Sequence, residues 1–317
     1  MGTDLATVTL GRTGLEVSVA GLGCGGHSRL GQSRGVPVTD SVALVRRALD
    51  LGVTFIDTAA AYGTEEIVGT AIRGHRDDVV LSTKSLVVGR SGDLITGPEL
   101  RSSVESSLER LGTDHVDLFH LHGVESDQYP YCRTELVPVL AALRDEGKIG
   151  WLAVSERFIR DPGHEMLRRA VPDGCWDVVM VGFNPLNPSA RHRVLAPAID
   201  GDIGVLVMFA VRRALSDPVA LRQVVADLVG SGRVDGTTVD LDGPLGFLVG
   251  DGVASSVVEA AYRFARHETG THVVLTGTGS IEHLEQNLDA LALGPLPEVA
   301  LARLDALFGH LDVVHGD

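Results

Sequence analysis

Four residues able to move a proton beside a carbonyl stand at matching places in this sequence: Asp57, Tyr62, Lys84 and His122. Asp57 ends the apolar run Val53-Thr54-Phe55-Ile56, and Tyr62 follows shortly after it. Lys84 closes Val79-Val80-Leu81-Ser82-Thr83, and His122 closes Val116-Asp117-Leu118-Phe119-His120-Leu121. Short runs of this kind read as β-strands. In a closed parallel barrel the strand C-termini converge on one mouth, so a carboxylate, a phenol, an ammonium and an imidazole would meet there. A lysine ammonium ~4 Å from a phenol, at an effective dielectric of ~20, contributes roughly 4 kcal/mol, or about three pK units, before solvent screening. Lys84 would thus ease proton release from Tyr62, and Asp57 would keep Lys84 charged. His122 would donate a hydrogen bond that orients the carbonyl oxygen. Tyr62 is then the general acid in reduction and, as phenolate, the base in alcohol oxidation. Taken singly, each residue has a plainer role: a turn cap, a rim aromatic, a solvated charge. Their shared place at strand ends favours the chemical reading.

The elements that must hold them are legible as a pattern. Apolar runs at 20–23, 54–57, 79–84, 116–122, 150–155, 178–183, 204–208 and 272–276 alternate with helical patterns. The helices are expected at 40–51, 65–73, 98–111, 135–146, 164–170, 189–197, 218–229 and 255–267. Gly or Pro punctuates most boundaries. This alternation predicts an α/β fold, a (β/α)8 TIM barrel, in one domain covering 1–317. Residues 7–19, split at Arg12-Thr13-Gly14, read as an N-terminal β-hairpin plugging the barrel bottom, and 296–311 as a C-terminal helix. The stretch 231–254, with six glycines and four aspartates, fits neither strand nor helix. A loop of that length is usually functional or mobile.

Composition narrows the function classes. Of 317 residues, 44% are hydrophobic and only 4% aromatic, so Val, Leu and Ala must fill a large core. A net charge of −15 argues against nucleic acid or anionic membranes as partners. No apolar run approaches the ~20 residues needed to span a bilayer, and the N-terminus lacks a signal-peptide pattern. A cytoplasmic protein is the expectation. Cys24, Cys132 and Cys175 are too few and too scattered for a disulfide framework or zinc knuckle and read as free thiols. His120 shares a strand face with His122, but no second histidine closes another strand, so no metal is expected. His120 reads as a hydrogen-bonded core residue or a second pocket wall. The cluster Gly21-Leu22-Gly23-Cys24-Gly25-Gly26 lacks the helix that a Rossmann fingerprint needs directly after it.

The Asp57, Tyr62, Lys84 and His122 set resembles the catalytic tetrad of the aldo-keto reductases. Asp57-Thr58-Ala59-Ala60-Ala61-Tyr62-Gly63 resembles that family's Asp-x-Ala-x-x-Tyr-Gly pattern. Residues 10–18 resemble its N-terminal hairpin, and 148–155 its fifth-strand Gly-x-Ser segment. The likeness runs from about residue 8 to residue 290. It implies reversible NADP(H)- or NAD(H)-dependent reduction of an aldehyde or ketone, with a small carbonyl or alcohol as the partner and a hydroxylated compound such as a sugar as a suitable one.

The same resemblance implies cofactor contacts. Gly25 would border substrate and nicotinamide. Ser155 and Glu156 fall where the family holds the nicotinamide amide with Ser-Asn; a carboxylate there can accept but not donate. Met180 replaces a glutamine, and Met208 or Phe209 must serve for a stacking aromatic. Gly277, Thr278, Gly279, His283, Gln286 and Asn287 match the adenosine-phosphate segment, where the family often carries a Lys or Arg that is missing here. Arg212 and Arg213 would supply the charge instead. His27, Tyr129 and Tyr131 are the expected substrate contacts, and Trp151 is expected in the core. Two other readings remain: a cofactor-binding regulatory subunit with little catalysis, and a non-redox barrel lyase or hydrolase.

Overall fold

In a computed structural model, residues 5–316 are described. A hairpin comes first, β1 (Thr7–Thr9) antiparallel to β2 (Glu16–Ser18). Eight strands follow: β3 (Ala20–Gly23), β4 (Phe55–Asp57), β5 (Val80–Leu86), β6 (Val116–Val124), β7 (Ile149–Glu156), β8 (Val178–Gly182), β9 (Gly204–Met208) and β10 (Val273–Thr276). Each pairs in parallel with the next, and β10 pairs with β3 to close the barrel. The expected (β/α)8 barrel is the fold.

Side chains alternate across each strand. Leu118 points into the barrel, packing with Phe55, Val80, Val178 and Leu206, while Phe119 and Leu121 point out to the helices. The hairpin seals the floor: Leu10 and Val17 are fully buried in the inner cluster. With its floor filled, the barrel is a packed core whose polar end is the mouth.

The helices follow the sequence pattern with shifted ends. Val38–Asp50, Glu65–Ala71, Gly97–Leu111, Glu165–Ala170, Pro218–Gly230 and Val257–Arg266 fall where expected. Asp217 caps one of them, accepting from the Val219 N–H at 2.8 Å. The helix expected at 135–146 begins earlier, at Tyr129, and reaches Val137–Asp145 through a wide turn at Cys132–Leu136. The one expected at 189–197 runs on to Asp200 through a similar turn at Arg191–Leu195. A further helix, Ile281–Ala292, follows β10, and Glu298–Phe308 is the C-terminal helix. β6 extends beyond 122 to Val124, with an irregularity against β7 between Leu121 and Val124. The stretch 231–254 is irregular but anchored, with Val234, Val239, Leu245 and Leu248 buried. Among the described residues no helix is long and apolar enough to cross a membrane.

Because the floor and the mouth are separate layers, Leu10→Ala should lower unfolding stability by about 2–5 kcal/mol. Cofactor affinity of the folded variant should stay unchanged. Denaturant unfolding and a cofactor titration on the same preparation check both.

Candidate active site

The tetrad comes together through strand register. Asp57, at the end of β4, pairs with Ser82 of β5, and Lys84 lies two residues further along. Ser82 Oγ donates to Asp57 Oδ1 at 2.8 Å. Lys84 Nζ donates to Asp57 Oδ2 at 2.5 Å and to the Thr58 carbonyl at 2.9 Å. Both charged groups are almost fully buried. Tyr62 stands in a single helical turn, Ala60–Tyr62, after β4. Its ring lies 5.0 Å from Lys84 Nζ, and its hydroxyl is 3.3 Å from His122 Nε2. The Tyr62 and His122 rings meet edge-on at 5.4 Å. Gly25 leaves room for Tyr62: a Cβ there would fall 2.5 Å from Tyr62 Cε2.

Electrostatics revises one expectation. Burial raises the Tyr62 phenol above its ordinary pKa, and Lys84 offsets this only in part. Burial outweighs the ammonium, and the nearby Asp57 carboxylate adds to the rise. Tyr62 is thereby held as a neutral proton donor. Burial likewise raises Asp57 against the pull of Lys84. Lys84 itself is raised: burial alone would lower it, but the carboxylate and phenol outweigh that. His122 is pushed down to about 3 by burial and by Lys84, so its imidazole is neutral across ordinary pH. His120 sits one layer deeper, beside Lys84 in register. Burial and Lys84 keep it well below the usual histidine range. Its ring nitrogens make no hydrogen bond of normal geometry among the described residues, although the Val154 backbone lies close enough to favour its charged form against burial.

A cleft of about 1300 Å³ runs from Asp57 and Tyr62 across the mouth to Gln286 and Asn287. Gly25, His27, Met180, Met208, Phe209, Arg212, Arg213, Gly277, Thr278 and His283 line it. Arg212 stacks on Phe209, with Cζ 4.1 Å from the ring centroid, and its Nη2 lies 3.2 Å from His27 Nε2. Asn287 Nδ2 donates to Thr276 Oγ1 at 2.8 Å, and Tyr262 Oη lies 2.9 Å from the same atom. Gly279 stands just behind the lining, where a Cβ would strike Gly31 at 2.5 Å.

Besides Gly279, four expected contacts do not line the cleft: Glu156, Tyr129, Tyr131 and Ser155. Glu156 is buried away from it, accepting from His164 Nδ1 at 2.9 Å and from the Gly182 N–H at 2.8 Å. Tyr129 is buried, donating to Asp173 at 2.6 Å and accepting from Trp176 Nε1 at 3.1 Å. Tyr131 donates to the Ile95 carbonyl at 3.0 Å. The early start of the helix at Tyr129 turns both tyrosines into its packing surface. Ser155 is also buried, its Oγ accepting from the Gly123 N–H at 2.8 Å. Trp151 packs partly buried against the inner cluster, as expected.

Other contributors were not legible as site residues. Ser255, Ser256, Glu259 and Tyr262 reach the cleft from the start of the Val257–Arg266 helix. Arg34 lies beside the phosphate-type loop, its Nη2 3.1 Å from where a Gly279 Cβ would sit. The only sequence signal for Arg34 was its basic type in a polar stretch.

The residues present fit a dinucleotide. The cleft is long, joins an apolar patch beside the acid–base cluster to a glycine-rich turn, and ends at the N-terminus of a twelve-residue helix, whose free N–H groups favour phosphate. The profile of the Aldo/keto reductase family matches residues 21–308, and the chain belongs to that family. L-galactose dehydrogenase of Arabidopsis thaliana is 35% identical over 187 residues, 56% of each chain. Aldo-keto reductase YhdN of Bacillus subtilis is 34% identical over 213 residues, 64% of this chain and 61% of that one. The matched stretch thus spans less than two thirds of these relatives' lengths. An aldo-keto reductase of Klebsiella pneumoniae solved with NADPH superposes with a TM-score of 0.68 at 25% identity, covering 99% of both chains. One from Bacillus halodurans, at 21% identity, shares the fold with a TM-score of 0.70 over 98% of this chain and 100% of that one.

Removing one member of a buried ion pair strands the other. Lys84→Met should therefore destabilise the protein by about 3–5 kcal/mol, and adding Asp57→Asn should recover part of that loss. Denaturant midpoints of the two singles and the double test this; a strictly additive double variant contradicts it.

Proposed function

We propose that this barrel reduces an aldehyde or ketone to the alcohol with NADPH or NADH, and runs the reverse oxidation, with Tyr62 as general acid and base. The observation that carries the reading is the half-buried Tyr62 hydroxyl held beside Lys84 and His122 at the edge of the long cleft. A reduced nicotinamide, when bound, supplies the hydride to the carbonyl carbon. Tyr62 gives its hydroxyl proton to the carbonyl oxygen as negative charge develops there. Lys84, 5.0 Å from the Tyr62 ring, stabilises the phenolate that forms, and Asp57 keeps Lys84 protonated and in place. Neutral His122, beside the same hydroxyl, is the group that would orient the carbonyl. His27 and Arg212 give the cleft wall polar groups suited to a hydroxylated substrate, and the likeness to an L-galactose dehydrogenase accords with a sugar or other polyol carbonyl.

Cofactor preference rests on the phosphate end. Arg212 is engaged with Phe209 and His27, whereas Arg34 stands at the turn that would meet a 2′-phosphate. Arg34→Ala should weaken NADPH binding about tenfold and leave NADH nearly untouched. Arg212→Ala/Arg213→Ala should leave the ratio unaltered. Fluorescence titrations with both cofactors measure this, and an unchanged ratio in Arg34→Ala sinks it.

Tyr62→Phe should lower kcat at least ~100-fold with cofactor affinity retained. Because Tyr62 is raised by burial and His122 lies near 3, reduction should show no titration of either group between about pH 5 and 8. It should fall only in strong alkali, as the phenol loses its proton. A pH–rate profile with a carbonyl screen checks both expectations.

A further inference from the structure

A buried acid–base pair stands behind the tetrad end of the cleft. Glu156, the last residue of β7, and His164 are both fully enclosed as side chains. His164 Nδ1 lies 2.9 and 3.0 Å from the two Glu156 oxygens, and Oε1 also accepts the Gly182 N–H from the end of β8 at 2.8 Å. One carboxylate oxygen therefore ties β7, β8 and the segment 157–164 together. His164 adopts a left-handed backbone, φ 62°, uncommon for a residue with a Cβ. Such strain persists only where surrounding contacts enforce it.

Phe158 connects the pair to the cleft. Its ring stacks on His164 at 5.4 Å and 15°, and its other side meets Phe209 edge-on at 5.4 Å. It lies against Gly182, where a Cβ would fall 2.2 Å from its Cγ. Phe209 is itself left-handed, φ 63°, and faces the cleft beside Met208. The contacts run unbroken from Glu156 through His164 and Phe158 to Phe209 in the cleft wall.

We propose that Glu156 and His164 are positioning residues that set the Phe209 wall at the nicotinamide end of the cofactor cleft, acting through Phe158 and without touching the cofactor. The inference rests on the cofactor reading above. Isolated burial of a carboxylate is unfavourable, and the two donors arranged around this one, His164 Nδ1 and the Gly182 N–H, make sense if the geometry they fix matters at the cleft.

The test compares two ligands by calorimetry: NADPH, and 2′-phospho-ADP-ribose, which lacks the nicotinamide ring. Glu156→Ala and His164→Ala should each weaken NADPH about tenfold, and the double variant no further, because the two act as one unit. Binding of 2′-phospho-ADP-ribose should stay within about twofold in all three. Glu156→Gln, which keeps the Oε1 acceptor, should restore NADPH affinity. Phe158→Leu, with the pair intact, should reproduce the NADPH-selective loss, and this second route serves if an alanine variant fails to fold. Equal losses for both ligands, additive losses, or unaltered NADPH binding in folded variants overturn the proposal. Wild-type protein that binds neither ligand overturns the cofactor reading itself, a separate result.

Discussion

The buried ion pair between Lys84 and Asp57 is the interaction on which the mouth of this barrel depends. Two charges removed from water are unfavourable unless geometry is near ideal and the remaining polar atoms are satisfied. Parallel register supplies that geometry. Asp57 aligns with Ser82, whose hydroxyl takes one carboxylate oxygen, while Lys84 reaches the other and the Thr58 carbonyl. The packed apolar layers below, sealed by Leu10 and Val17, hold both strands rigid enough to keep the pair together. Its effect on chemistry follows from its completeness. A lysine already matched by a carboxylate does not acidify its neighbour outright. Tyr62 consequently remains protonated, and in the proposed reaction the ammonium would stabilise the phenolate as it forms.

Close approach is the second constraint, and it is met with glycine. Gly25 admits the Tyr62 ring, Gly182 admits Phe158, and Gly279 lets the phosphate-type turn lie against Gly31. Each places a backbone where a Cβ would collide.

The cleft also shows how this member of the family handles an altered set of residues. Met180, Met208 and Phe209 make the tetrad end apolar, and Glu156 has withdrawn into a contact with His164 and Gly182. Polar groups meet this apolar stretch directly, with Arg212 stacked on Phe209 and His27 against Arg212, and the Ser255–Ser256 turn adds hydroxyls to the lining.

Much of this was open to reading from sequence alone. Short apolar runs alternating with helical patterns specify eight strands, because a parallel strand covered by helices on one face and packed into the barrel on the other is buried on both. The tetrad was legible because Asp57, Lys84 and His122 close such runs and Tyr62 follows one of them shortly after. What sequence left open were contacts that depend on where separate segments meet. Glu156 and Tyr129 sit where cofactor and substrate contacts were expected, yet each found partners in other segments, in Gly182 and His164 or in Asp173 and Trp176. Arg34 gave no sign of standing beside Gly279. Local pattern determines which elements form, since it acts through backbone geometry and burial of one face. Tertiary packing alone decides which polar groups are free to meet a ligand, because a hydrogen bond across the fold removes a side chain from the site as surely as distance does.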